Sequence, residues 1–117
     1  MTAMKHIGKV LGQTLPAMEG EEAAAFLQDF AVSDDTDKPI TCGLFRLEAG
    51  APMTYTYTYH EMKLIVDGEF EITDETGQTV TATAGDLFYF PKGSTITFTT
   101  PSFGLGFFCG QRGEGEA

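Results

Sequence analysis

The sequence has few basic residues, few cysteines and no long apolar run, and each shortage excludes a class of protein. Seven Lys and Arg stand against 17 Asp and Glu, so the formal net charge is −10. A field of this sign repels a phosphate backbone and an anionic bilayer, so we expect no nucleic-acid partner and no membrane docking. No apolar run is long enough for a transmembrane helix. Because the first residues lack the apolar centre of a secretory signal, we expect a cytoplasmic protein.

The two cysteines lie far apart in the sequence, and no Cys-x-x-Cys motif is present. Cys42 and Cys109 each belong to an apolar stretch with the composition of a strand. Neither has a neighbouring base that would activate a catalytic thiol. We therefore expect two reduced cysteines that serve as small apolar residues in the interior.

What the sequence does contain, from residue 40 onward, is a series of short segments rich in β-branched and aromatic residues. Turn residues end these segments at short intervals, at Gly50, Asp67-Gly68, Gly77, Gly85-Asp86, Pro91-Lys92-Gly93 and Pro101. This spacing is typical of an all-β sandwich or barrel. No alternation of strands and helices is present, which excludes a Rossmann-like or TIM-barrel enzyme.

The N-terminal third has a different composition and predicts the only helix. Residues 20–30, "GEEAAAFLQDF", are rich in strong helix formers, and the two glutamates at their start favour the positive end of a helix dipole. With 117 residues the chain has room for one domain. We expect an N-terminal arm and short helix over 1–39, a β-barrel over 40–110 and a flexible tail over 111–117.

Two spaced motifs point to a family. Glu61 is followed after six residues by Gly68, and Gly85 is followed after five residues by Pro91-x-Gly93. These fit the end of the first motif and the start of the second motif of the cupins, G-x5-H-x-H-x3/4-E-x6-G and G-x5-P-x-G-x2-H-x3-N. The chain therefore resembles the cupins, and the resemblance implies a double-stranded β-helix, also called a jelly-roll barrel.

One branch of the cupins is more similar still, the cupin domain of the ethanolamine-utilisation protein EutQ family. The stretches that carry the resemblance are "YHEMKLIVDGEFEI" and "TAGDLFYFPKGSTITFTTP". The resemblance implies a role in amine or ethanolamine catabolism. It also implies a homodimer, since cupins of this size are often dimers.

The metal ligands of the usual cupin site are mostly absent. Most enzymatic cupins hold a divalent metal with two histidines and a glutamate of the first motif and one histidine of the second. Here the first-motif histidine positions fall on Tyr55 and Tyr57, or on Thr54 and Thr56 with the longer spacing, and the second-motif position falls on Ile96. Neutral hydroxyls and an alkyl chain are poor ligands for such metals. We expect no metal site of the usual type and no cofactor.

The residues that replace the metal site form an alternating series. On an extended strand, one face carries a carboxylate, an ammonium and three phenols, from Tyr55, Tyr57, Tyr59, Glu61 and Lys63. Glu61 occupies the inward position of the cupin motif, so this face should line the barrel. Aromatic walls and a carboxylate anchor suit a small polar or cationic molecule. His60 falls on the other face and is a candidate acid or base, since the pKa of histidine lies near neutrality.

Three functions remain open at this stage. The leading hypothesis is a EutQ-like cupin that binds a small molecule or acts as an accessory protein without the usual metal. The rival is a small-metabolite enzyme, such as a lyase, isomerase or hydrolase, that uses Glu61, His60 and Tyr59, with an atypical metal as one variant of it. The third is an assembly module whose barrel interior is filled.

Overall fold

The computed structural model describes residues 1–117 and consists almost entirely of antiparallel strands. A 3-10 turn at Val10–Gly12 is the single helical segment. The strands are β1 (Ala25–Val32), β2 (Thr41–Glu48), β3 (Met53–Thr56), β4 (Glu61–Thr73), β5 (Thr79–Thr83), β6 (Leu87–Phe90), β7 (Thr95–Thr99) and β8 (Phe103–Gly110). No helix in the chain has the length and apolar character needed to cross a membrane.

One curled sheet contains all eight strands. Its main path runs β1-β2-β8-β4-β7-β3, and β5 and β6 both pair with β4. The first half of β4 pairs with β8 and β6, whereas its second half pairs with β5 and β7. A bulge between Ile65 and Asp67 lies where β4 passes from one set of partners to the other. Bulges bend a strand and increase its twist, so β4 belongs to both sides of the barrel. The predicted all-β cupin fold is confirmed.

The predicted turn at Asp67-Gly68 is wrong, because β4 continues through it to Thr73. Gly68 has a φ of 69°, in the left-handed region, and faces Gly104 of β8 across the sheet. A side chain at Gly68 would collide with the backbone carbonyl of Phe103. The dipeptide therefore marks the end of a bulge, where glycine permits both the backbone conformation and the close approach.

The predicted helix over residues 20–30 is also wrong, since most of this segment forms β1. Ala25 lies opposite Leu47 of β2, and the pairing continues in register to a bulge between Asp29 and Ala31. Helix propensity is a weak preference, and so short a helix is marginal without tertiary packing. Pairing with β2 satisfies the same backbone groups, so the sheet begins at Ala25, ahead of the boundary expected at residue 40.

The barrel interior is packed by large aromatic side chains. Phe45, Phe70 and Phe98 form its centre, with ring centroids 5.4–6.0 Å apart. Glycines of β8 make room for them: a side chain at Gly104 would meet the ring of Phe70. A smaller cluster of Leu15, Leu44 and Leu105 lies under the N-terminal arm.

Candidate functional site

The alternating series enters the barrel from the segment that joins β3 to β4. Tyr55 lies on β3 and is half-buried, and Tyr57 and Tyr59 lie in the irregular connection after it. Glu61 and Lys63 begin β4 and are only 4% and 3% exposed. The extended strand expected to carry Tyr55 to Lys63 is thus interrupted between Thr56 and Glu61. The inward and outward alternation persists across the interruption, and the predicted inward face is confirmed.

Glu61 and Lys63 form a buried ion pair at the centre of this group. The ammonium nitrogen of Lys63 lies 3.4 Å from Oε2 of Glu61. It also lies 4.6 Å from the ring centroids of both Phe45 and Phe98, within the range of a cation–π contact. Burial lowers the pKa of Lys63 below its usual value, and the Glu61 carboxylate opposes that shift. The pair therefore places a carboxylate and an unusually acidic ammonium side by side, away from water.

Two glycines of β8 provide the space for this pair. A Cβ at Gly106 would lie 3.2 Å from Cγ and Cδ of Lys63, and one at Gly110 would lie 3.1 Å from the Tyr59 ring. Such distances are shorter than ordinary van der Waals contacts. The sequence "FGLGFFCG" thus places a glycine where Lys63 packs on β8 and another where Tyr59 does.

The three tyrosines form the wall beside the ion pair. The Tyr55 and Tyr57 rings meet edge to face at 4.7 Å, and the hydroxyls of Tyr55 and Tyr59 lie 3.1 Å apart. The Lys63 ammonium lies within 3.5 Å of the Tyr57 hydroxyl, to which it donates. Burial raises the pKa of Tyr57 and of Tyr59 above the ordinary value, and the charge of Glu61 adds to both shifts. These two phenols therefore remain protonated at and above neutral pH and can donate hydrogen bonds.

A second buried ion pair borders the site, and the sequence analysis missed it. The guanidinium of Arg112 donates two hydrogen bonds to the carboxylate of Asp29, at 2.8 and 2.9 Å. Burial opposes the charge on each group, but the pairing outweighs it, so the pKa of Asp29 is lowered and that of Arg112 is raised. Arg112 is 4% exposed, although it follows β8 in the segment predicted to be a flexible tail. The signal available was a single basic residue in an otherwise acidic and glycine-rich end.

Arg112 also lies against the aromatic residues of the site. Its guanidinium carbon lies 5.6 Å from the Tyr59 ring centroid and 5.3 Å from that of Phe108. Its Nε is buried and has no hydrogen-bond partner. A buried donor normally has a hydrogen-bond partner. Because this N–H has none within the protein, it can donate to an acceptor in the site.

These residues surround a cavity of about 30 Å³. The polar part of its lining comes from Tyr55, Tyr57, Tyr59, Glu61, Lys63 and Arg112. A volume of that size holds about two water molecules. A larger molecule enters only if a wall residue moves, and the exposed Ala117 and the half-buried Tyr55 are among the residues that line the cavity.

His60 does not belong to this cavity. It is exposed on the outer face, where its Nδ1 accepts a hydrogen bond from the backbone N–H of Lys92 at 3.1 Å. The Tyr89 hydroxyl lies 2.9 Å from the same nitrogen. The structure therefore brings together five of the six residues chosen from the sequence and separates His60 from them.

The residues present do not fit a metal ion of the usual cupin type. Glu61 is the single carboxylate or imidazole side chain that lines the cavity, and its partner is an ammonium group. Ile96, at the second-motif histidine position, is buried and has no ligand atom. No group of three or more His, Cys, Asp or Glu side chains is arranged to hold a metal.

A larger depression lies outside the barrel and has a structural explanation for its acidic residues. It has a volume of about 580 Å³ and is bordered by Asp74, Glu75 and Asp86. The Asp74 carboxylate accepts hydrogen bonds from the backbone N–H groups of Thr76 and Gln78, and Asp86 accepts one from Thr83. These carboxylates cap local turns, so the buried cavity remains the candidate site.

Comparison with proteins of known sequence places this site in a family. The model of the EutQ-like cupin domain matches residues 35–103. The protein named acetate kinase EutQ from Escherichia coli is 37% identical over 76 residues, which are 65% of this chain and 31% of that protein. Its namesake from Clostridioides difficile is 32% identical over 62 residues, which are 53% of this chain and 38% of that protein. The chain thus matches about a third of the length of these curated relatives.

Solved structures show the same architecture. An ethanolamine utilization protein Q from Salmonella typhimurium has a TM-score of 0.72 at 27% identity, covering 86% of this chain and 80% of that one. The KdgF protein from Halomonas has a TM-score of 0.70 at 16% identity, covering 97% of both chains, and shows likeness of fold alone. The family match extends over more than half of the chain and includes Glu61, Lys63 and three tyrosines of the site. The chain belongs to the EutQ-like cupin domain family.

Proposed function

We propose that this EutQ-like cupin binds a small polar or cationic molecule between Glu61, Lys63 and the tyrosine wall, and that it serves amine or ethanolamine catabolism. The observation that carries the proposal is the buried ion pair beside a cavity. Both charged side chains are at most 5% exposed and share that cavity with three phenols. The pathway rests on the names of relatives, one of which is described as an ethanolamine utilization protein.

Stability alone does not account for the Glu61–Lys63 pair. Transfer of two charges out of water costs several kcal/mol per ion, and well-packed apolar residues of similar volume stabilise a core at least as well. The rest of the interior is indeed apolar and aromatic. The presence of the pair despite this desolvation cost favours a role in ligand binding over a role in stability.

The site already accommodates a cation, which is why an amine fits it. The ammonium of Lys63 lies against Phe45, Phe98 and the Glu61 carboxylate. Burial lowers the pKa of Lys63, so this lysine gives up its proton more readily than an exposed one when a second cation arrives. A bound alkylammonium group then pairs with Glu61, and a hydroxyl on the same molecule meets the hydroxyls of Tyr55 and Tyr59. Entry requires part of the cavity wall to move, since the cavity holds about two waters.

Calorimetric titration with ethanolamine tests the proposal, with tyrosine fluorescence as a second readout. We expect binding in the millimolar range by the wild type, and at least about tenfold weaker binding by Glu61→Gln, which is the loss of one charge-assisted contact. Glu71→Gln is the matched control, because Glu71 lies on β4 but is exposed. Ethanol and ethylamine separate the contributions of the hydroxyl and the amine.

A lack of response by the wild type to all three probes contradicts the proposal. The barrel interior is then a filled structural module, the third function considered from the sequence. Equal binding by Glu61→Gln and Glu71→Gln contradicts the site, although a ligand would exist.

The enzymatic alternative has less support, because its proposed base does not reach the cavity. His60 lies on the outer face and Glu61 on the inner face of the chain. The curated relatives carry the name acetate kinase, so release of ADP from ATP in the presence of acetate is the assay to apply. Turnover that Glu61→Gln abolishes and Glu71→Gln retains would replace binding with catalysis as the function of this site.

A further inference from the structure

The two cysteines, distant in sequence, lie directly opposite each other on neighbouring strands. Cys42 of β2 is paired with Cys109 of β8 in the antiparallel register that runs from Thr41 opposite Gly110 to Glu48 opposite Phe103. Both cysteines are free and half-buried. Residues directly opposite in a sheet project from the same face, so the two thiols are neighbours on one surface.

The hydrogen-bond pattern identifies which kind of pair this is. The N–H of Ala49 donates to the carbonyl of Ser102, which makes these two residues a hydrogen-bonded pair. Hydrogen-bonded and non-hydrogen-bonded pairs alternate along an antiparallel ladder. Cys42 lies seven positions from Ala49, and Cys109 lies seven from Ser102. An odd number of steps makes the cysteines a non-hydrogen-bonded pair.

The pairing of β8 with β4 leads to the same conclusion about Cys109. The N–H of Gln111 donates to the carbonyl of His60, which makes these two residues a hydrogen-bonded pair. Met62 and Cys109 lie opposite each other two positions away from that pair, so they are a hydrogen-bonded pair as well. The peptide groups of Cys109 therefore point toward β4 and away from β2. In a non-hydrogen-bonded pair the Cα atoms lie about 4.5 Å apart, inside the range of roughly 4.4–6.8 Å that a disulfide requires.

The flanking residues leave the thiols approachable from the surface. Ala31 of β1 lies opposite Cys42 on its other side, and Met62 lies opposite Cys109. Alanine is small, and Met62 is flexible and 50% exposed. Both thiols are on the outer face of the sheet, whereas Phe108 next to Cys109 is part of the interior.

We propose that Cys42 and Cys109 form a redox-active dithiol that closes to a cross-strand disulfide by exchange with a low-molecular-weight disulfide. One thiol, as its thiolate, attacks a sulfur of the small disulfide, forms a mixed disulfide and releases one small thiolate. The second cysteine loses its proton and attacks the protein sulfur of the mixed disulfide, which releases the second small thiolate. Two protein thiols are oxidised to one disulfide, and one small disulfide is reduced to two small thiols. The reaction is independent of ligand binding inside the barrel.

Incubation of the folded protein with glutathione disulfide at mildly alkaline pH tests the proposal. We expect the free thiols to fall from two to none per chain, and the intact mass to fall by two hydrogens without an adduct. Digestion without a reductant should yield one linked pair of peptides that contain Cys42 and Cys109. Dithiothreitol should restore both thiols.

The variants Cys42→Ser and Cys109→Ser are the matched controls, since each retains one thiol. Each should stop at a stable mixed disulfide with glutathione, because no second thiol can displace it. Wild-type protein that accumulates two glutathione adducts, links two chains or remains fully reduced overturns the proposal. The wild-type measurement decides the question even if a serine variant fails to fold.

Discussion

The ammonium of Lys63 lies 3.4 Å from the carboxylate of Glu61, two residues earlier on the same strand. The two side chains project from the same face because the period of a strand is two residues. The aromatic residues around them keep both groups away from bulk solvent, so each charge has the other as its ionic partner. The stability of the barrel and the proposed binding of a ligand therefore depend on the same pair.

Removal of one member of this pair should destabilise the protein strongly. Glu61→Gln leaves the Lys63 ammonium buried without its counter-charge, and we expect a loss of about 3–5 kcal/mol in the free energy of unfolding. The double variant Glu61→Gln/Lys63→Met should recover part of this loss, since no charge remains buried. Urea denaturation measures both effects. Equal stabilities of the wild type and Glu61→Gln would show that the charge of Glu61 has no role in folding.

The Asp29–Arg112 pair should make part of the stability depend on acidic pH. The pKa of Asp29 is lowered from 3.8 in the folded protein, so the unfolded chain binds the proton first as the pH falls. The contribution of Asp29 is therefore present above pH 3.8 and is lost below it. We expect the stability difference between the wild type and Asp29→Asn to shrink as the pH falls through this range.

The buried phenols should make stability fall at alkaline pH. Burial raises the pKa of Tyr57 and Tyr59 above 10.0, so the unfolded chain releases these protons first as the pH rises. Stability then declines above pH 10.0. Ultraviolet absorbance should show fewer ionised tyrosines in the folded protein than in the same chain in denaturant. Full ionisation of all four tyrosines with intact circular dichroism would contradict the burial of this wall.

A methyl group at Gly106 should affect the site more than the fold. Its Cβ would press against Lys63 at 3.2 Å, and the flexible lysine can shift to relieve the contact. We expect Gly106→Ala to lose about 1 kcal/mol of stability and to bind ethanolamine more weakly than the wild type. Gly12→Ala is the control, since nothing lies within 4 Å of a Cβ at that position. Unchanged affinity in Gly106→Ala would place the ligand away from Lys63.

Protein purified without a chelator should carry no stoichiometric transition metal, because the cavity offers a single carboxylate and no imidazole. Elemental analysis by mass spectrometry measures this directly. About one metal ion per chain would overturn the expectation and favour the enzymatic alternative.

The local sequence pattern predicted most of the strands, but it failed at residues 20–30, where pairing with β2 determines the structure. The predicted turns at Gly85-Asp86 and Pro91-Lys92-Gly93 lie directly on either side of β6, and the one at Pro101 lies just before β8. Residues 20–30 have the composition of a helix, yet β2 offers Ala25 a paired edge and the interior offers Ala23 and Ala25 a place in the core. Residues differ in helix propensity by less than about 1 kcal/mol each, and the free energy gained by burying these side chains in the sheet exceeds that difference.

Pleat geometry is a local property, so the order of the residues is enough to place Glu61, Lys63 and the tyrosines on one face of the chain. The two glycine-bearing motifs determined the family through their spacing. Only the tertiary structure decided that Arg112 pairs with Asp29, that Cys42 faces Cys109, and that the cavity is small. These features depend on the register between strands far apart in sequence, which is set by how the whole interior packs.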